Sequence, residues 1–160
     1  MKSCHGLFLS LILLAGCSSS RTSPSPETTT PSVLGKWHIA VQMTVMNQAD
    51  NGGQTYTTTV NEDEWEMDAK RSKPVVIYYP DLRYHTVYYD ISIGDSVHML
   101  GTYEQLDDTL IARDAQGLYE PLVSKLTFTN PDQFEMVAFI DTDMDGKKDD
   151  EIRATLKRAK

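Results

Sequence analysis

Cysteine is nearly absent from this 160-residue chain: the only two, Cys4 and Cys17, both lie near its start. Nothing after Cys17 can close an intramolecular disulfide, so whatever folds there is held by its core, with or without a metal. Basic side chains are few and unclustered, and 15 of them against 23 acidic ones leave a formal charge of −8. Without a basic patch there is no counterion-release term, which argues against nucleic acid as a partner, and the same sign opposes adsorption to anionic lipid. The longest apolar run, residues 7–15, is too short to span a bilayer as a helix, which needs about 20 residues. The sequence has no G-x-S-x-G, H-E-x-x-H, phosphate loop or dinucleotide fingerprint. With no thiol left for nucleophilic work, the expectation is a protein that is not an enzyme.

What is present begins with a stretch that reads as an export signal. Lys2 supplies a positive flank, residues 7–15 the apolar stretch, and small residues close it. Leu14-Ala15-Gly16-Cys17 resembles the lipobox of bacterial lipoproteins, in which the cysteine thiol takes a diacylglycerol after cleavage. The resemblance implies a mature chain starting at an acylated Cys17, anchored in a membrane, with Ser18 in the place that favours the outer membrane. Residues 18–32 are almost entirely Ser, Thr and Pro, a composition that buries too little apolar surface to offset ordering entropy. The expected organisation is a signal peptide over 1–16, a lipidated cysteine and tether over 17–32, and one folded domain over 33–160.

Period-two alternation dominates that domain. Trp37, Ile39, Val41, Met43 and Val45 fall on every second residue, and the pattern returns in Val87, Tyr89, Ile91 and Ile93, in Phe134, Met136, Ala138 and Ile140, and in Ile152, Ala154 and Leu156. Shorter runs at 54–60, 74–79, 96–103, 109–113 and 121–129 bring the total to about nine strands. Turn residues separate them, among them Asp50-Asn51-Gly52-Gly53, Pro80-Asp81, Gly94-Asp95 and Asn130-Pro131-Asp132. Between Asn61 and Lys73 the alternation breaks, and Asn61 with Glu64 as a capping pair allows one short helix. Short connections favour antiparallel neighbours, and closure removes exposed edges, so the expected fold is all-β: an up-and-down barrel of about eight strands.

Gly35-Lys36-Trp37 on the first strand, Tyr79-Pro80-Asp81-Leu82-Arg83-Tyr84, Gly101-Thr102-Tyr103 and the ending Leu156-Lys157-Arg158 resemble bacterial lipocalin-like lipoproteins. That resemblance implies a tryptophan, Trp37, plugging one barrel end with Arg158 packed over its ring. The chain departs from the pattern at Leu82, where glycine is usual, and by an insertion between Gln48 and Lys73. A barrel of this size is either filled by its own side chains or holds one small ligand, here an apolar one, with Val41, Tyr89, Ile91 and Met136 as candidate ligand-facing residues. The alternative is a solid barrel that acts through its outer face on another envelope protein.

The sharpest local motif is Asp141-Thr142-Asp143-Met144-Asp145-Gly146-Lys147-Lys148-Asp149. Oxygens recur at places one, three, five and nine, with glycine at the sixth for the tight turn, which is the spacing of a calcium loop. Asp141, Asp143, Asp145, the Lys147 carbonyl and Asp149 are the candidate ligands. Ile152 at the twelfth place and Lys148 at the eighth depart from the helix-flanked EF-hand; the loop resembles the strand-flanked calcium hairpins of integrin-type propellers. The competing account is a solvated acidic turn. His38, His85 and His98 lack metal-ligand spacing and read as surface or structural. Of the clustered tyrosines, alternation sends Tyr79 and Tyr89 inward and Tyr78, Tyr84 and Tyr88 outward.

Overall fold

The computed structural model describes residues 31–48 and 54–160. The expected signal peptide, Cys17 as the expected acylation site, most of the expected tether and the turn around Asn51 lie outside the described residues. Nine strands follow in order: β1 (Gly35–Gln48), β2 (Gln54–Val60), β3 (Val75–Tyr78), β4 (Arg83–Asp90), β5 (Asp95–Leu106), β6 (Thr109–Asp114), β7 (Leu122–Asn130), β8 (Gln133–Ile140) and β9 (Asp150–Arg158). From β3 to β9 each strand pairs antiparallel with the next, and β1 pairs with both β3 and β9, so eight strands close into a barrel. The ninth, β2, is paired to the far half of β1, beyond the point where the four-residue β3 stops.

The barrel has a filled end and an open one. At the filled end Trp37 is fully buried, meets Phe134 edge-on at 4.7 Å between centroids, and carries the Arg158 guanidinium 4.2 Å above its ring. Its indole N–H donates to the Val33 carbonyl at 2.6 Å. Pro31 and Ser32, counted in the tether by composition, are already part of this plug: Gln105 Nε2 donates to the Pro31 carbonyl, and Gln105 Oε1 accepts from the Val33 amide. Tyr78, Tyr103, Leu126 and Leu156 complete the same core.

Two features invert side-chain facings that simple alternation assigns. A bulge between Ile39 and Val41 shifts the β1 register, so that Ile39 lies opposite Leu156 but Gln42, not Val41, lies opposite Ala154. Ala154 and Leu156 belong to the core, so the side of β1 that faces inward changes at the bulge and Val41 faces out. In β4 the inward set is Tyr84 and Thr86, which lie opposite Tyr78 and Val76 of the core. Tyr78 is therefore buried and Tyr84 packs on the core, while Tyr89 is 46 % exposed, the reverse of the expected facing. Ile91 and Ile93 fall beyond β4 in an exposed turn.

The expected helix over 61–73 is absent. Glu64 does accept from the Asn61 amide and side chain, but among the described residues the segment has a single i to i+4 backbone bond, from the Asp68 amide to the Glu64 carbonyl, and one such bond does not meet the cost of a helical nucleus. The segment instead straps the barrel wall. Trp65 is buried with its indole N–H on the Ala40 carbonyl, and residues 70 and 72 exchange backbone bonds with Ile91 and Tyr89. Glu62 bonds Lys157, Lys73 and His38 together. The hydrogen bond from Lys157, then that from Lys73, hold its carboxyl down at about 2. Leu82, at the place where the lipocalin-like pattern has glycine, takes a left-handed backbone with φ of 64°.

Candidate functional site: the barrel lumen and the last hairpin loop

Above the aromatic plug the lumen is not filled. A cavity of about 290 Å³ lies there, lined by residues from all eight barrel strands, at the lower bound of the size range of small-molecule sites. Its walls are mostly aliphatic, with Ile39, Val76, Leu110, Leu122, Met136 and Leu156. Ala112 is small and leaves room in the wall, and the Tyr84 ring sits where Gly101 has no side chain: a Cβ there would come within 2.6 Å of that ring and 2.0 Å of the Arg113 carbonyl. Tyr84 can lie flat against β5 only because that position has no side chain.

Two hydroxyls interrupt the apolar wall. Thr86 is buried, and Ser124 is 2 % exposed with its Oγ bonded to nothing among the described residues. Ser124 pairs with Leu110 on one side and Ala138 on the other, both buried, so its side chain projects into the lumen. A buried hydroxyl without a partner costs about 1–3 kcal/mol. Such a group inside a cavity marks a place where a guest or a water supplies the missing bond.

At the open end Asp114, Tyr119 and Glu120 form the mouth. Asp114 Oδ2 accepts from the Gln116 and Leu118 amides and so shapes the loop carrying the other two. Glu120 pairs with Lys148 of the last hairpin loop, and that bond lowers its pKa. Burial raises the Tyr84 phenol, and the nearby Asp114 charge raises it further, so Tyr84 stays a hydrogen-bond donor throughout the neutral range.

Of the four residues expected to face a ligand, Met136 lines the cavity. Val41 and Tyr89 do not, for the reasons of register given above, and Ile91 does not because it lies in the turn beyond β4. Ser124 and Thr86 were missed, although one of them was signalled: in Leu122-Val123-Ser124-Lys125-Leu126-Thr127-Phe128 the serine falls on the apolar side of the alternation. The three histidines are placed on the outer surface. His38 bonds Glu62, and His85 and His98 stack on each other across β4 and β5 with 2.9 Å between ring nitrogens.

The loop between β8 and β9 turns its odd-numbered aspartates inward and leaves Thr142, Met144 and Gly146 exposed. Met144 and Gly146 take left-handed backbone, with φ of 64° and 86°. The Gly146 amide donates to Asp141 Oδ2 at 2.9 Å and the Asp145 amide to Asp143 Oδ1 at 3.2 Å. Oδ1 of Asp141 and Oδ1 of Asp149 are buried without any partner among the described residues. Burial, then the charges of Asp145, Asp150 and Asp141, raise the pKa of Asp143. These donors are hard oxygens, and two of them have no proton donor, so the set fits a hard divalent cation.

The tightest carboxylate group is Asp141, Asp143 and Asp150, whose oxygens lie within 4.8 Å of one another. Asp150 was not among the expected ligands. It is fully buried and accepts from the Asn47, Thr142 and Asp143 amides at 2.8, 2.6 and 3.2 Å. Burial alone would raise its pKa, but these amides outweigh burial and hold it below the usual carboxylate range. Asn47 also donates its side chain to the Asp149 carbonyl, which ties the loop to the far end of β1.

No protein-family model matches this chain, and no curated protein does. Seven solved chains do match. One is a redesigned β-barrel, 19 % identical, with 79 % of this chain and 91 % of that one covered and a TM-score of 0.42. Another is EF1p2_mFAP2b bound to DFHBI, 18 % identical, covering 79 % and 93 % with a TM-score of 0.41. These are likenesses of outline; the closed antiparallel barrel rests on the strand pairings.

Proposed function

We propose that this chain is the precursor of a lipocalin-like envelope lipoprotein that holds one small, mainly apolar ligand in its barrel and whose last hairpin is ordered by calcium. In this reading it is anchored through acylated Cys17, with Ser18 directing it to the outer membrane, and it binds rather than catalyses. The observation that carries the ligand reading is the apolar lumen of about 290 Å³ with the unpaired Ser124 hydroxyl inside it. A barrel that acted only through its outer face would gain nothing from leaving that space and that hydroxyl unfilled. The carboxylates lining the cavity lie at its mouth, and one of them, Glu120, is already paired, which suits reception of a ligand better than acid–base work.

The test is titration with N-phenyl-1-naphthylamine, a neutral dye that brightens in apolar surroundings. Binding in the micromolar range is expected for the native domain, and at least a tenfold loss for Ala112→Trp, which fills the lumen. A melting temperature of that variant at or above the native value shows that it still folds. Dye binding unaffected by a folded Ala112→Trp would move the site out of the lumen.

Calcium would be held by Asp141, Asp143, Asp145, the Lys147 carbonyl and Asp149, with the unpaired oxygens of Asp141 and Asp149 as the supporting observation. Bound there, it would neutralise carboxylates that repel one another. With an affinity like that of extracellular calcium modules, about 10⁻⁴ M, millimolar calcium is expected to add about 1.4 kcal/mol to stability, and magnesium less. Melting curves in calcium and in chelator, for the native domain and for Asp143→Asn, check this. Equal melting temperatures for the native domain in both would return the loop to a solvated acidic turn.

A further inference from the structure

The lumen also carries information about what enters it. Its inner wall offers the Ser124 hydroxyl, 2 % exposed and unpaired, and its outer rim offers Asp114 together with Tyr84 and Tyr119. No lysine, arginine or histidine lines it among the described residues, and the one cation that reaches the rim, Lys148, is paired with Glu120. From Leu110, which is level with Ser124, to Asp114 is four residues of β6, about 13 Å along the strand and less along the tilted barrel axis. That is the length of a two-ring aromatic with a substituent at each end.

Resting on the reading of the lumen as a ligand site, we propose that its ligand class is a slim aromatic or apolar amine: a cationic nitrogen held at the mouth by Asp114, Tyr84 and Tyr119, and a hydroxyl or carbonyl at the inner end bonded to Ser124. A carboxylate supplies the counter-charge, and aromatic faces attract an ammonium through the ring quadrupole, the more so where water is thinned. An anionic ligand of the same shape would instead face an acidic rim with no free cation among its described residues. A guest with no polar inner end would leave Ser124 unpaired, so the wall discriminates at both ends.

The experiment compares four probes on the native protein by calorimetric or fluorescence titration: 2-methylnaphthalene, 2-naphthylmethylamine, 2-naphthoate and 6-(aminomethyl)naphthalen-2-ol. The amine is expected to bind at least tenfold more tightly than the hydrocarbon, and the naphthoate more weakly than either. Asp114→Asn, which retains an acceptor for the Gln116 and Leu118 amides, is expected to erase the preference for the amine. The added hydroxyl is expected to gain about tenfold, and Ser124→Ala to remove that gain. If the hydrocarbon and naphthoate bind as well as the amine and Asp114→Asn changes nothing, the amine assignment is overturned while the lumen remains a ligand site. If none of the four binds, both readings fall together.

Discussion

Trp37→Ala is expected to lower the unfolding free energy by about 4 kcal/mol, the upper part of the range for large-to-small changes in a core. The ring is fully buried and fills the end of the barrel against Phe134. Its loss would open a cavity continuous with the lumen, strand the Val33 carbonyl that accepts the indole N–H, and leave the Arg158 guanidinium without the aromatic face beneath it. The segment of residues 31–34 is held largely by that N–H and by Gln105, so the plug should loosen along with the core. Trp37→Phe separates these effects: it keeps most of the packing and loses the N–H, and is expected to cost about 1–2 kcal/mol. Urea unfolding followed by far-ultraviolet circular dichroism measures both. A Trp37→Ala cost below about 1 kcal/mol would mean that the plug does not organise the barrel.

The number of strands and their approximate bounds were legible because alternation of apolar and polar residues is a direct image of a sheet with one wet face. What alternation cannot show is a change of phase within a strand. In β1 the apolar series Trp37, Ile39, Val41, Met43 and Val45 runs unbroken through the bulge, so the sequence carries no mark of the point where the inward face passes to Gln42. In β4 both faces mix aromatic and polar residues, and Tyr84, Thr86 and Tyr88 could not be told from Val87 and Tyr89 by period alone. Only the register against Tyr78 and Val76 decides which set meets the core. Of the candidate ligand-facing residues, Val41 and Tyr89 lie off the inner wall for this reason and Ile91 because β4 ends before it, whereas Met136, on a strand with a clean phase, lines the cavity.

The acidic loop was legible for a different reason, since its spacing is fixed by turn geometry rather than by the surrounding fold. The role of Asp150 was not, because it depends on a partner far away in sequence, the Asn47 amide at the end of β1. Motif spacing stops at Asp149, and nothing in the pattern singles out the neighbouring aspartate. Burial and three backbone donors make it the residue around which the loop is folded.

Asp150→Ala is accordingly expected to cost about 3–5 kcal/mol, as when one partner of a buried charged contact is removed. The change would leave the Asn47, Thr142 and Asp143 amides without their acceptor and detach the loop from β1. Asp150→Asn is expected to recover only part of this, because one side of the amide would turn its own N–H groups toward backbone donors. The loss should be present in chelator, which separates a residue that organises the loop from one that acts only by holding metal: Asp143→Asn should matter chiefly when calcium is supplied. It should also depend on pH. The folded-state pKa of Asp150 lies below that of the unfolded chain, so its stabilisation is complete above the ordinary carboxyl value and declines as pH falls through the folded one. The gap in melting temperature between native protein and Asp150→Ala should therefore be widest near neutrality and narrow in acid, where the native carboxyl takes up a proton. A gap that stayed constant down to pH 2, or that appeared only with calcium present, would contradict this account of Asp150.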